Sequence, residues 1–156
     1  MNIRRAELKD TDKILDLLSQ VLEVHAAIRP DYFIPGTTKY SREELAGMFR
    51  EEDRRIFVAV DEDDTVLGYA FCIAKSPNSH SLNPVRTLFV DDICVDENAR
   101  GKHIGKALFE YVKAYATDNG FYNITLHVWE CNPGAKAFYE ALGMEPQYTS
   151  MEMICK

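Results

Sequence analysis

Paired cysteines are missing from this chain. Cys72, Cys94, Cys131 and Cys155 lie far apart with no CxxC, and His25, His80, His103 and His127 form no HExxH. That spacing indicates neither a disulfide framework nor a zinc site, so reduced thiols and no metal are expected. Long apolar runs are missing too. None approaches the roughly 20 residues that cross a bilayer, and no membrane partner is expected. The first residues, MNIRRAELKDTDKI, lack the basic start, apolar stretch and small-residue cleavage site of a signal peptide, which leads us to expect a cytoplasmic protein. Basic excess is absent as well. A net charge of -7 argues against binding a nucleic-acid backbone, which needs a cationic face to release counterions, and leans weakly toward cationic small molecules.

What remains is an ordinary globular composition. With 156 residues, 46% hydrophobic and 28% charged, the chain can bury a core without staples and is expected to form one domain over residues 1–156. The stretch 2–7 reads as a strand. Ile14, Leu17, Leu18, Val21, Leu22 and His25 then recur at helical spacing until Arg29-Pro30 ends the helix. The stretch 29–40 has no period and reads as a loop. Ser41 to Glu44 is a capping box opening a second helix with Leu45, Met48 and Phe49 inward. RIFVAV and VLGYAFCIA, joined by DEDDT, read as an antiparallel hairpin, and VRTLFVDDICV as a long strand. A helix follows with Ile104, Ala107, Leu108, Tyr111, Val112 and Tyr115 on its buried stripe and Asn119-Gly120 as its stop. Next come a strand NITLHVW, a helix begun by Asn132-Pro133 and closed by Gly143, and a last strand QYTSMEMIC. The pattern predicts an α/β fold with a mixed sheet.

The most informative stretch is DENARGKHIGKALFEY, residues 96–111. A strand, a glycine-bearing loop and a helix present several N–H groups to one point, where the helix dipole also favours an anion. The Walker spacing fails, because Gly101 and Gly105 enclose three residues and Ala107 follows Lys106; GxGxxG is absent.

The stretch Arg100-Gly101-Lys102-His103-Ile104-Gly105 resembles the acyl-CoA-binding motif [RQ]xxGx[GA] of the GNAT superfamily of N-acetyltransferases, with His103 in the place of the usual first glycine. The flanks resemble the same family. FVDDICVDENARG matches a strand of the type EDLxVxxxxRG, and Val128, Asn132, Ala135, Tyr139 and Gly143 match VxxxNxxAxxxYxxxGF, with Met144 for the common aromatic. The resemblance implies a mostly antiparallel central sheet, splayed mid-sheet, with helices on both faces.

It also implies a site. Acetyl-CoA would be the cosubstrate, its diphosphate on main-chain N–H groups of Gly101, Lys102, His103, Ile104, Gly105 and Lys106, with Arg100 and Lys102 adding charge near the phosphates. Its arm would lie in a gap between the strand ending at Val95 and the one ending at Trp129, against main-chain groups of Ile93, Cys94 and Val95, with Asn132 as a further contact. His103 would need a negative φ to turn its side chain away from phosphate. Tyr139 stands at the family's general acid, and Asp91 at a glutamate some members use as base; Asp92 should face the other side unless a bulge intervenes. His25, Arg29 and Tyr32, with Asp31, Phe33 and Tyr40, are the candidate acceptor walls. The implied function is transfer of an acetyl group to a small primary amine by direct attack in a ternary complex. A CoA-binding regulatory module and a peptide or protein N-terminal acetyltransferase are the alternatives. The sequence leaves the oligomeric state open, and the C-terminal strand is an edge through which a homodimer could pair.

Overall fold

A computed structural model describes residues 1–156. Strand β1 (Asn2–Arg5) leads through a short turn into helix α1 (Thr11–Ile28). Asp10, buried at that junction, accepts from both terminal guanidinium nitrogens of Arg4 at 2.8 and 2.9 Å and from the Glu7 N–H at 2.8 Å, which satisfies its charge. Ile14, Leu17, Leu18 and Leu22 of α1 are buried as their spacing predicts. The helix stops where Arg29, preceding Pro30, takes φ -136° and ψ 68°. Helix α2 (Arg42–Met48) opens on the reciprocal bonds of Ser41 and Glu44 and buries Leu45 and Met48.

Strands β2 (Arg54–Val60), β3 (Val66–Lys75), β4 (Thr87–Val95) and β5 (Asn123–Leu126) complete a five-stranded sheet in the order β1-β2-β3-β4-β5. All pairs are antiparallel except β4 with β5. Helices α1 and α2 cover one face, packing Ile14, Leu17, Leu18 and Leu45 on Val58, Tyr69 and Phe71. Helix α3 (Ile104–Asp118) covers the other, packing Ile104, Leu108 and Val112 on Phe57, Ala59 and Cys72. Its stripe is rotated from the expected one: Phe109 and Ala116 are buried, whereas Tyr111 is exposed and stands edge-on to Phe57. Helix α4 (Pro133–Ala141) begins where the Asn132 side chain accepts the Ala135 N–H at 3.3 Å.

Two irregularities position the site. In the β3–β4 ladder Phe71 opposes Asp92 and Cys72 opposes Val90, so Asp91 is the extra residue of a bulge. Strict alternation would put residues 88, 90, 92 and 94 on one face. Instead Leu88 and Val90 pack toward α3 while Cys94 packs toward α1, and Asp92 comes to the α1 face beside Tyr69. The second irregularity is the end of β5. Its pairing with β4 runs from Thr87↔Asn123 to Val90↔Leu126 and no further, so the strand expected to reach Trp129 is four residues long. Beyond Val90 the β4 edge away from β3 is open. On the β3 side the approach is close: a Cβ at Gly68 would lie 2.7 Å from the Cys94 carbonyl oxygen.

The last strand expected over 147–155 is not formed. This segment meets its neighbours through side chains, with Tyr148 OH 3.0 Å from His127 Nε2 and Glu152 accepting from Arg29 at 2.8 Å, and no main-chain ladder supports it. The strand through which a homodimer could pair is therefore missing. No helix is long and apolar enough to cross a membrane.

Candidate active site

The open edge of β4, the diverging β5 and helix α4 bound a cleft of about 2320 Å³ that reaches from the α3 side to the loop after α1. At one end lies the 96–106 turn. Arg100 is extended, Gly101 has φ +80° and His103 has φ +59° and ψ 23°. The negative φ expected at His103 is overturned. Coming out of an extended Arg100, the chain enters α3 through left-handed residues at 101 and 103, and the His103 carbonyl at once accepts the Ala107 N–H at 3.0 Å. A glycine at this point in the family motif therefore has a backbone reason, and histidine occupies it at a cost because its Cβ crowds the carbonyl in that region. Accordingly His103→Gly is expected to raise stability by about 0.5–1 kcal/mol, the relief of roughly 1–2 kcal/mol being partly offset by a freer unfolded chain. Urea unfolding reads it as a higher midpoint with unchanged slope; a lower midpoint would show that the ring makes contacts worth more than the strain.

Because the first helical bond is donated by Ala107, the N–H groups of Ile104, Gly105 and Lys106 have no helical acceptor. They point along the positive end of a 15-residue helix, with exposed Arg100 and Lys102 nearby in sequence. A Cβ at Gly105 would meet Phe138 Cζ of α4 at 3.3 Å and Val95 Cγ2 at 3.6 Å, so the bare residue 105 lets α4 pack closely against the loop. This donor set suits a diphosphate. The free β4 edge at Ile93, Cys94 and Val95 suits an extended amide-bearing arm. Cys94 offers its main chain alone, for its thiol packs toward α1, 3.7 Å from the Leu17 carbonyl, and burial pushes it up to about 12.

Three groups occupy the middle. Tyr139 on α4 packs against Phe138 (centroids 5.0 Å apart) and Phe109 (6.1 Å apart), and burial, then the negative charge of Asp92, holds its hydroxyl well above the ordinary tyrosine range. Its hydroxyl keeps its proton at neutral pH. Asp92 accepts the Tyr69 hydroxyl at 2.6 Å. Burial raises its carboxyl above the usual carboxylate range, while the Tyr69 bond and the positive charges of Lys39 and His25 pull it partly back. Asp91 accepts Lys39 Nζ at 2.9 Å and Tyr40 OH at 2.6 Å, one on each oxygen. The bulge thus brings both carboxylates to the α1–α2 face, where regular alternation would have separated them.

The far end is aromatic. His25, whose imidazole burial holds below its usual range, lies 5.1 Å from the Phe33 ring. Tyr32 and Phe33 stand 5.6 and 5.9 Å from Trp129. Arg29 lies over Tyr32 and Trp129 and is bonded to Asp31 at 2.7 Å and Glu152 at 2.8 Å; Tyr32 OH reaches Glu152 at 3.3 Å. Of the expected walls, His25, Arg29, Tyr32 and Phe33 line the cleft and Asp31 and Tyr40 do not, while Lys39, Trp129 and Glu152 are added by the structure. Glu152 and Lys39 carry no local signal, since neither sits in a motif. Asn132 is engaged in capping α4, and His127 is held between Tyr148 and the edge of Phe89.

Residues 21–144 match the model of the acetyltransferase (GNAT) family, and the chain belongs to that family. It is 30% identical over 142 residues to a probable glucosamine 6-phosphate N-acetyltransferase of Drosophila melanogaster, covering 87% of this chain, and 32% identical over 62 residues to the Arabidopsis thaliana glucosamine 6-phosphate N-acetyltransferase, covering 40% of it. The chain spans 58% and 40% of the length of those curated relatives. A crystal structure of a variant of the BH1408 protein from Bacillus halodurans superposes with a TM-score of 0.94 at 30% identity over the whole of both chains. The Arabidopsis thaliana enzyme shares the fold, with a TM-score of 0.71 at 23% identity over 99% of this chain and 98% of that one.

Proposed function

We propose that the protein is an acetyl-CoA-dependent N-acetyltransferase acting on the primary amine of a small molecule by direct attack in a ternary complex. One observation carries this reading: beyond Val90 and Leu126 the two parallel strands part, leaving an open β4 edge between a helix start with free N–H groups and the adjacent carboxylates Asp91 and Asp92, with half-buried Tyr139 across the cleft. Acetyl-CoA would supply an acetyl group activated as a thioester. The N–H groups from Gly101 to Lys106 would hold its diphosphate, and the main chain of Ile93 and Val95 its arm.

The chain's own side chains then have separate tasks. A carboxylate must take the proton that the ammonium loses, and Asp92 suits this better than Asp91. Its raised pKa makes it the stronger base, whereas both Asp91 oxygens already accept hydrogen bonds. Main-chain N–H near Ile93 would stabilise the oxyanion. Tyr139, still protonated at neutral pH, would donate to the departing sulfur. The buried, inert Cys94 thiol gives no support to an acyl-enzyme route.

A small acceptor is favoured over a polypeptide because the far end is roofed. Glu152 ties the C-terminal segment to Arg29 and Tyr32, and Trp129 packs under Tyr32 and Phe33. Thiol release from acetyl-CoA, measured against free amines and against peptides with free N-termini, tests the proposal. Saturable release with free amines, and initial-rate lines that intersect when both substrates are varied, are expected. Parallel lines, or turnover of peptides alone, would overturn it.

A further inference from the structure

The acceptor end of the cleft has a charge balance that the curated relatives' names do not lead one to expect. Its carboxylates are Asp91, Asp92 and Glu152, and its cations are Arg29 and Lys39, with Asp31 pairing Arg29 from outside the cleft. Arg29 is saturated, for its guanidinium is bonded to two carboxylates and stacked against two rings. Lys39 is bonded to Asp91. A phosphomonoester brings close to two negative charges at neutral pH and would meet no cation free to receive it. A positive group would meet carboxylates and ring faces.

The cleft already contains such a group from the chain itself. Lys39 Nζ is a primary ammonium on a flexible stem, reaching in from the loop before α2 and lying 2.9 Å from Asp91 Oδ1 with its side chain 45% exposed, whereas the Asp91 side chain is 14% exposed. The carboxylate is fixed by Tyr40 and the strand bulge; the lysine is held by one half-solvated ion pair and a distant approach to the Tyr40 ring, 5.5 Å from its centroid. An exposed pair of this kind contributes little and exchanges readily. Asp92, on the same face and nearer Tyr139, leaves a second carboxylate for the reacting nitrogen.

Resting on the acetyltransferase reading above, we propose that the acceptor is a primary amine bearing a second positive charge, such as an α,ω-diamine or a polyamino compound, and that Lys39 holds the place of that second charge on Asp91 until the acceptor displaces it. The reacting ammonium meets Asp92, the distal one meets Asp91, and the intervening carbons lie against His25, Phe33 and Trp129.

The test is thiol release from acetyl-CoA with α,ω-diamines of increasing length, each beside the monoamine of the same carbon count, and with glucosamine beside glucosamine 6-phosphate. The best diamine is expected to exceed its monoamine at least tenfold in kcat/KM, and glucosamine its 6-phosphate by a similar factor. In Asp91→Asn the diamine-to-monoamine ratio should shrink toward unity. In Lys39→Met the KM for the diamine should fall several-fold, a change that a merely structural lysine would not produce. Monoamines used as well as diamines, or preference for the 6-phosphate, would overturn the inference and leave the acetyltransferase standing. No thiol release with any of these amines would overturn both.

Discussion

Tyr139→Phe is expected to lower kcat for acetyl transfer by about a hundredfold or more, the range general acid catalysis ordinarily supplies. The change removes one oxygen from a ring that packs on Phe138 and Phe109, so the helix–sheet contact survives. The loop proposed to hold the coenzyme, residues 101–106, should be untouched. CoA affinity, read by titration, is therefore expected to stay within a factor of two or three while turnover collapses, which is the signature of an interaction made only in the transition state. Because burial and the Asp92 charge hold the hydroxyl protonated well above its ordinary range, the wild-type rate should show no alkaline loss from this group at physiological pH. An unaltered rate across several amines would remove Tyr139 from the chemistry.

Asp92→Asn should have an effect of similar size on kcat, about a hundredfold, with the opposite sign on stability. Asp92 has a folded-state pKa above its unfolded value, because burial disfavours its charge. The fold therefore binds this proton more tightly than the unfolded chain does. The resulting stabilisation is present below the ordinary carboxylate range and is lost as pH rises through the raised value. At neutral pH the ionised form is a liability to the fold, and asparagine, which can still accept from Tyr69, relieves it. A Tm that is unchanged or higher at pH 7, together with the lost turnover, is the expected result. In the wild type the rate should fall as pH drops through the raised value, where the base is protonated; the variant should lack that limb. Full activity in Asp92→Asn would return the base to Asp91 or to a water.

Elements whose signals are local were legible in the sequence. The α1 stripe, the Ser41–Glu44 box, the stop at Arg29-Pro30 and the cap at Asn132 each depend on residues within a few positions of one another, and all appear as read. The glycine-bearing turn into α3 was also legible, because its spacing is a backbone requirement. The misreadings share another character. The strand expected over 147–155 has suitable β-propensity, but a strand exists only where a neighbour pairs with it, and here the adjoining chain is met through side chains. His103 was expected to be helical from the chemistry of its side chain; its φ is set instead by the path from β4 into α3.

By itself the sequence determined the family, the order of helices and strands, and the groups available for chemistry: a loop with free N–H groups, a tyrosine on the last helix and two adjacent acids. Only the tertiary structure decided which face and which partners those acids meet. A bulge is a property of two strands in register, and it turned Asp92 to the side its neighbour occupies; a loop lysine fifty-two positions from Asp91 then took up the nearer carboxylate. Local propensity can specify which residue stands in a strand, but which face it meets, and what charge it finds there, depends on partners brought together by packing.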